Sequence, residues 1–230
     1  MTHAFTPQAA ADYDTRIPAL VPGYDLAGDL AAALLCDLLP DGARILVAGC
    51  GTGAELARLA RANASWRFIA LDPSPAMLAR AQERMAASGD GERVAWVEAP
   101  LGAADLPACD AALAFLVDHF VPDDGARARF FAALAQPLAG GCPALLFHYS
   151  DGPWTGAYGR WLAMAESGQK ADAILGLIAT RWHLLTPERR TALLEQAGFS
   201  APRRFLSALG YEGVLALRNT AELASCPASW

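Results

Sequence analysis

The sequence predicts an α/β fold: a mostly parallel sheet with helices on both faces. Three observations point there. Five short apolar strands alternate with helical segments between Arg44 and Ser150, and connections of that kind favour a parallel sheet. The runs ILVA (45–48) and ALLF (144–147) are continuously apolar, as strands covered on both faces are. The chain has 230 residues and is 54% hydrophobic, which allows one sizeable core and argues against gross disorder.

The elements follow in order. DLAGDLAAALLCDLL (25–39) has apolar residues at helical spacing, and Pro40-Asp41-Gly42 ends it. RILVA (44–48) is the first strand, AELARLARAN (54–63) a helix and RFIALD (67–72) the second strand. SPAMLARAQERMAAS (74–88) is a helix with Ser74 as N-cap and Pro75 in its first position. RVAWVEA (93–99) and CDAALAFLV (109–117) are the third and fourth strands. ARARFFAALAQPLAG (126–140) is an amphipathic helix leading through Gly140-Gly141 into the fifth strand, PALLFHYS (143–150).

The rhythm breaks over 151–185, which is rich in aromatics and glycine and reads as a lid. A helix over 186–199 has Thr186 as N-cap and Pro187 in its first position. RRFLSALGYEGVLALR (203–218) reads as two strands around a Gly-Tyr-Glu-Gly turn. The expected organisation is one domain over 1–230: an N-terminal helical cap (1–40), a core (41–150), the lid (151–185), a last helix and hairpin (186–218), and a loose tail (219–230).

Net charge is −6, so no globally basic footprint for nucleic acid is present. The pairs Arg127/Arg129, Arg189/Arg190 and Arg203/Arg204 read as solvated helix faces, with no basic stripe that suggests RNA. Five cysteines (Cys36, Cys50, Cys109, Cys142, Cys226) include no CxxC pair and read as free thiols of a reducing compartment. Four histidines (His3, His119, His148, His183) show no zinc spacing, and no metal is expected. MTHAFTPQ lacks an apolar signal-peptide region, and no apolar run reaches the ~18 residues of a membrane span. The expectation is a cytoplasmic protein with a small-molecule partner and no membrane.

The chemistry concentrates at ILVAGCGTG (45–53). Gly49, Gly51 and Gly53 follow a strand and open a helix, and glycines there let backbone N–H groups come close to a ligand. Asp72 ends the second strand 19 residues after Gly53, close to the ~20-residue spacing at which an acid takes ribose hydroxyls. Together they point to an adenosine-type ligand. GCGTGA also fits the dinucleotide pattern G-x-G-x-x-A, so a nicotinamide oxidoreductase stands as one alternative. Against it are the final hairpin, where a sixth parallel strand is expected, and the lack of a separate substrate domain.

GCGTG, ALDPSPAMLARAQER, LPACDAALAFLVDHFV and LAQPLAGGCPALLF resemble the successive motifs of class I S-adenosylmethionine-dependent methyltransferases, over about residues 41–218. The resemblance implies a Rossmann-like, seven-stranded sheet with an antiparallel last strand, and S-adenosyl-L-methionine as cofactor. Gly49, Cys50, Gly51 and Gly53 would then line its methionyl part, and Asp72 would take the ribose hydroxyls. Pro73, Met77 and Leu101 would sit by the adenine, and Phe115 and Leu116 by the methionyl and ribose region. Val47 stands where that family often has Asp or Glu, and Pro100 where an acid usually binds the adenine amino group. VPGYDLAG (21–28), DPSPAML (72–78) and the C-terminal AGFSAPRRFLSALGYEGVLALR resemble the bacterial carboxy-S-adenosylmethionine synthases of tRNA wobble-uridine modification. In that group Tyr24 would reach the cofactor.

Methyl transfer mainly needs a nucleophile aligned with the methyl group, plus a base where the acceptor is a hydroxyl or acidic carbon. Asp118 and His119 sit just past the fourth strand, and His119 is the base candidate because its ordinary pKa is near neutrality. His148, Tyr149, Trp154, Tyr158 and Trp182 are candidates for an acceptor pocket. Packing within the lid explains these aromatics equally. The expected function is methyl transfer to a small organic acceptor. The alternatives are a carboxy-S-adenosylmethionine-synthase-like enzyme and a cofactor-binding protein without transferase activity.

Overall fold

The computed structural model describes residues 7–165 and 168–220. His3, Cys226 and most of the expected tail lie outside the described residues. Helices α1 (Pro7–Leu20) and α2 (Tyr24–Leu38) precede the alternation β1 (Arg44–Ala48), α3 (Ala54–Ala62), β2 (Arg67–Leu71), α4 (Pro75–Ala87), β3 (Val94–Val97), β4 (Ala111–Phe115), α5 (Ala126–Ala135) and β5 (Pro143–Tyr149). Residues 151–185 form α6 (Thr155–Ala165) and α7 (Gly168–Arg181), followed by α8 (Pro187–Gln196), β6 (Arg203–Ala208) and β7 (Tyr211–Leu217).

The seven strands form one sheet in the order β3-β2-β1-β4-β5-β7-β6. Pairing is parallel from β3 through β5, and β7 runs antiparallel to both β5 and β6. This is the class I Rossmann-like architecture. The order reverses between β1 and β4, and open α/β sheets bind ligands beyond the strand ends at such a switch point.

Both faces are covered, which is why the strands read as unbroken apolar runs. Ile45 and Val47 join one core with Ala31 and Leu35 of α2, Leu56 and Leu59 of α3, and Met85 of α4. Leu46 and Ala48 point the other way, into a second core with Phe131 and Leu134 of α5 and Leu193 and Leu194 of α8. Each fully buried large aliphatic contributes about 1.5–3 kcal/mol. Caps stop the helices where the sequence predicts: Ser74 accepts from Met77 N at the start of α4, and Thr186 from Arg189 N at the start of α8.

Three local expectations change. Helix α1 is an additional element, docked on α4 and α6; Tyr158 Oη donates to Leu20 O and Trp161 Nε1 to Ala19 O. The hairpin turns at Leu209-Gly210, so Tyr211 and Glu212 belong to β7. Leu209 and Gly210 both have positive φ, 50° and 91°, the mirror-image turn whose twist matches a two-residue hairpin. Arg127 and Arg190 are not solvated: they are 0% and 2% exposed, while Arg129 and Arg189 face outward. Among the described residues no single helix is long and apolar enough to cross a membrane. Cys36, Cys50, Cys109 and Cys142 are free thiols.

Candidate active site

A cavity of about 600 Å³ opens at the switch point. Its walls include Gly49 and Gly51, Asp72, Pro73 and Met77 after β2, Leu101, and Phe115 and Leu116 at the end of β4. These are eight of the eleven residues that the sequence assigned to the cofactor. The remaining three are held elsewhere. Cys50 is buried in the core under α2 and α3. Gly53 caps α3, with a φ of 78° and so little room that an added Cβ would stand 3.0 Å from Ala81 Cβ. Tyr24 is buried at the start of α2, with its hydroxyl donating to Glu55 Oε1.

The glycine turn has a different use from the expected one. Its amides are already engaged: Gly49 N and Cys50 N donate to Leu71 O, and Gly51 N donates to Asp72 Oδ2 at 2.9 Å. The turn is therefore clamped to the end of β2. Gly51 leaves open space on the cavity side, since a Cβ there would meet nothing within 4 Å. Gly49 is required for packing, since a Cβ there would lie 2.4 Å from Val117 Cγ2.

Asp72 is fixed from two sides. Oδ2 accepts from Gly51 N, and Oδ1 accepts from Ser74 N at 2.8 Å. Burial raises its pKa, and these two backbone hydrogen bonds oppose the rise. Each carboxylate oxygen keeps a further lone pair, enough for a pair of ribose hydroxyls. The flat apolar wall of Pro73, Met77 and Leu101 continues to Pro100 and Gly102, and to Phe130 and Ala133 of α5. Leu116, on the opposite side, has a φ of 55°. A left-handed leucine costs on the order of 1–2 kcal/mol, and such strain gathers at functional sites. Its amide is anchored on Phe147 O at 2.6 Å. The cavity thus fits an adenosine moiety: hydroxyl acceptors at one wall and apolar surface for a ring.

Asp118 and His119 do not face this cavity. They form a 3₁₀ turn, Asp118–Phe120, in which both are buried. Asp118 Oδ2 accepts from Arg190 Nε at 3.0 Å and lies 3.4 Å from Arg127 Nη1. Burial works against its charge, but Arg190 above all, with Arg127, holds its pKa well below the ordinary carboxylate range. His119 is 1% exposed and stacks on Trp182, ring centroids 3.9 Å apart. Burial lowers its pKa to about 3, so it is a neutral imidazole behind the cavity wall that Phe120 forms.

Of the acceptor-pocket candidates, His148, Tyr149 and Tyr158 are buried and Trp182 is half-buried. Tyr149, Tyr158 and Tyr211 pack ring against ring, and Trp182 meets Tyr149 edge-on. Tyr158 Oη and Tyr211 Oη are 3.0 Å apart. Trp154 is half exposed. None of His148, Tyr149, Trp154, Tyr158 and Trp182 is on the cavity wall. Tyr149 and Tyr158, with Trp182 packed against them, belong to the core that joins α6 and α7 to the sheet.

Beneath them runs a buried polar chain. Arg190 Nη1 donates to Ser150 Oγ, and Ser150 Oγ donates to Glu212 Oε2 at 2.8 Å. Arg127 Nη2 reaches His183 O at 2.6 Å. His148 Nε2 stands 3.8 Å from Glu212 Oε2, too far for a hydrogen bond, and burial lowers its pKa. The two histidines must gain charge when the chain unfolds in acid. The unfolded chain then binds more protons below its ordinary pKa of about 6.5, so stability falls as pH falls below that value. Asp118 acts in the same direction near its own unfolded pKa. Asp72 and Glu55, raised by burial, act oppositely. Melting temperature should drop between pH 7 and 5, at up to about 1.4 kcal/mol per pH unit per histidine. His148→Gln should shrink the drop; an unchanged drop would show that His148 is not the group being titrated.

Sequence reasoning missed Tyr13 of α1, Arg129 of α5 and the Phe120–Pro122 segment, all on the cavity wall. The apolar spacing of Tyr13, Ile17 and Leu20 was the available signal for α1.

Comparison with known proteins agrees with this geometry. Residues 46–142 match a family model described as a methyltransferase domain. A carboxy-S-adenosyl-L-methionine synthase of Campylobacter concisus is 31% identical over 112 residues, 49% of this chain and 47% of that protein. An uncharacterized Synechococcus protein is 39% identical over 115 residues, 47% of this chain and 26% of that one. The matched segments thus span less than half of either curated relative. Among solved structures, a mitomycin 7-O-methyltransferase aligns with a TM-score of 0.67 at 18% identity, over 92% of this chain and 58% of that one. A magnesium protoporphyrin IX methyltransferase from Synechocystis with bound SAH aligns with a TM-score of 0.66 at 17% identity, over 87% and 86% of the two chains. A CurJ carbon methyltransferase gives 0.68 at 15% identity, over 94% and 62%. Residues 46–142 thus resemble a methyltransferase domain in sequence, and nearly the whole chain shares the class I Rossmann-like fold of these methyltransferases.

Proposed function

We propose that the protein binds S-adenosyl-L-methionine in the 600 Å³ cavity and transfers its methyl group to a small organic acceptor. One observation carries this reading. The open face of Gly51, the doubly anchored Asp72 carboxylate and the strained Leu116 converge on a single cavity at the switch point. The bound cofactor supplies an activated methyl group on a sulfonium. The chain has to align an acceptor with it and keep water out. Tyr13 and Phe120 wall the cavity from the α1 and β4 sides. His119 is buried and off the cavity wall, so the acceptors that suit this site are those already nucleophilic. Solved relatives include oxygen and carbon methyltransferases, one of them in complex with apigenin.

A second reading, synthesis of a carboxylated cofactor, is favoured by the Campylobacter relative and by Arg129, a basic side chain on the cavity wall. Mass spectrometry separates the two. The protein is purified from its expression host, its ligand released and weighed, and the protein then incubated with methyl-labelled S-adenosylmethionine and phenolic acceptors. Labelled acceptor supports methyl transfer. A released ligand heavier than S-adenosylmethionine by one carboxyl group, with no labelled acceptor, supports the second reading.

A further inference from the structure

We propose that Arg129 holds the carboxylate of the methyl acceptor, so that the substrates of this site are small organic acids methylated at another atom. The inference rests on the methyl-transfer reading and names its substrate class. Among the described residues only two charged side chains line the cavity, Asp72 and Arg129. Asp72 is already anchored by Gly51 N and Ser74 N. Arg129 has no ion pair and no side-chain hydrogen bond among the described residues. The acids next to it are engaged elsewhere. Asp123 pairs with Arg189 at 2.8 Å, and Asp124 Oδ1 accepts from Ala126 N at 3.0 Å. Arg127 is engaged too, with Asp118 and with the carbonyls of Val121 and His183. The first turn of α5 thus carries Arg127 and Arg129 and no acid, at the helix end where a cation is disfavoured and an anion welcome. Of the two, the unpaired arginine is the one on the cavity wall.

Its position suits an acceptor rather than the base of the cofactor. Helix α5 flanks the cavity with Ala126, Arg129, Phe130 and Ala133, about 10 Å of helix. At the Ala133 end a Cβ on Gly102 would stand 3.2 Å from Ala133 Cβ, beside the apolar wall of Pro100 and Leu101 that suits a ring. Helical side chains lean toward the N-terminus, and this one does so fully: Arg129 Nη1 would stand 3.3 Å from a Cβ on Gly125. The charge therefore sits at the other end of α5, with Phe120 and Pro122 as the neighbouring wall. An aromatic acid fits there, its ring on Phe120 and Pro122 and its carboxylate on the guanidinium. A guanidinium matches a carboxylate with two parallel hydrogen bonds. Arg129 is exposed as well as cavity-lining, so an acid arriving from solvent meets it, and solvent screening limits its effect to about tenfold. A carboxylate borne by the cofactor itself would have the same chemistry, and the test separates the two sources.

The test pairs hydroxybenzoates with the matching hydroxybenzamides as acceptors for methyl-labelled S-adenosylmethionine. Wild type should favour the acid of a pair by about tenfold in kcat/KM. In Arg129→Gln that preference should shrink to less than twofold, through a higher KM for the acid at nearly unchanged kcat, with the amide unaffected. Arg129→Lys should restore part of it. Calorimetry should give S-adenosylhomocysteine the same affinity, within twofold, in wild type and Arg129→Gln. A preference for the amides, or an acid preference that survives Arg129→Gln, would overturn the proposal. So would a tenfold loss of S-adenosylhomocysteine affinity in Arg129→Gln, or a carboxylated cofactor released from wild type, since the guanidinium would then serve the cofactor. The acid-to-amide ratio of wild type stands whether or not the variants fold. Binding of S-adenosylhomocysteine without transfer to any of the acids would overturn the substrate class alone. Failure of wild type to bind S-adenosylhomocysteine would instead remove the methyl-transfer reading, and this proposal with it.

Discussion

Arg190→Met should destabilise the protein by about 3–5 kcal/mol, the cost of leaving a buried charge without its partner. Arg190 sits on α8 and Asp118 just past β4, and both side chains are 2% exposed. Removing the guanidinium takes away the 3.0 Å contact with Asp118 and the 2.9 Å donation to Ser150. Asp118 keeps only Arg127, at the longer 3.4 Å. Urea denaturation should show a lower midpoint with an unchanged slope, as a change in stability alone requires. Asp118→Asn should cost a comparable amount, and the double variant much less than the sum, because the second change removes the charge that the first strands. Additive losses would mean that the pair does not act as a unit.

Asp72→Ala should weaken binding of S-adenosylhomocysteine by about 1–3 kcal/mol, roughly five- to 150-fold, through lost hydrogen bonds to a charged acceptor. The same change frees Gly51 N and Ser74 N, so the turn loosens where the ligand would sit. Asp72→Asn keeps the shape and one acceptor oxygen, and should fall between wild type and Ala. Calorimetry on variants that melt at the wild-type temperature checks both. Unchanged affinity in Asp72→Ala would remove its assigned role.

The fold was legible because its signals are local and consistent. Strand runs, helix caps at Ser74 and Thr186, and the glycine turn are each written within a dozen residues. The cavity wall was legible for the same reason, since Gly49, Gly51, Asp72, Pro73 and Met77 belong to two adjacent strand ends. What failed was partnership over long sequence separations. His119 looked like a base at a strand end, but Trp182, far along the chain, covers it. Arg127 and Arg129, or Arg189 and Arg190, look alike in sequence. Helical geometry turns one of each pair inward and the other out, and only the facing element decides which is buried.

The central claim is that the cavity beyond β1, β2 and β4 takes a methionine nucleoside. Titration calorimetry of the purified protein with S-adenosylhomocysteine and with NAD tests it most directly. One-to-one binding of S-adenosylhomocysteine, lost in Asp72→Ala, with no heat from NAD, is the expected result. Binding of NAD without S-adenosylhomocysteine would contradict the account.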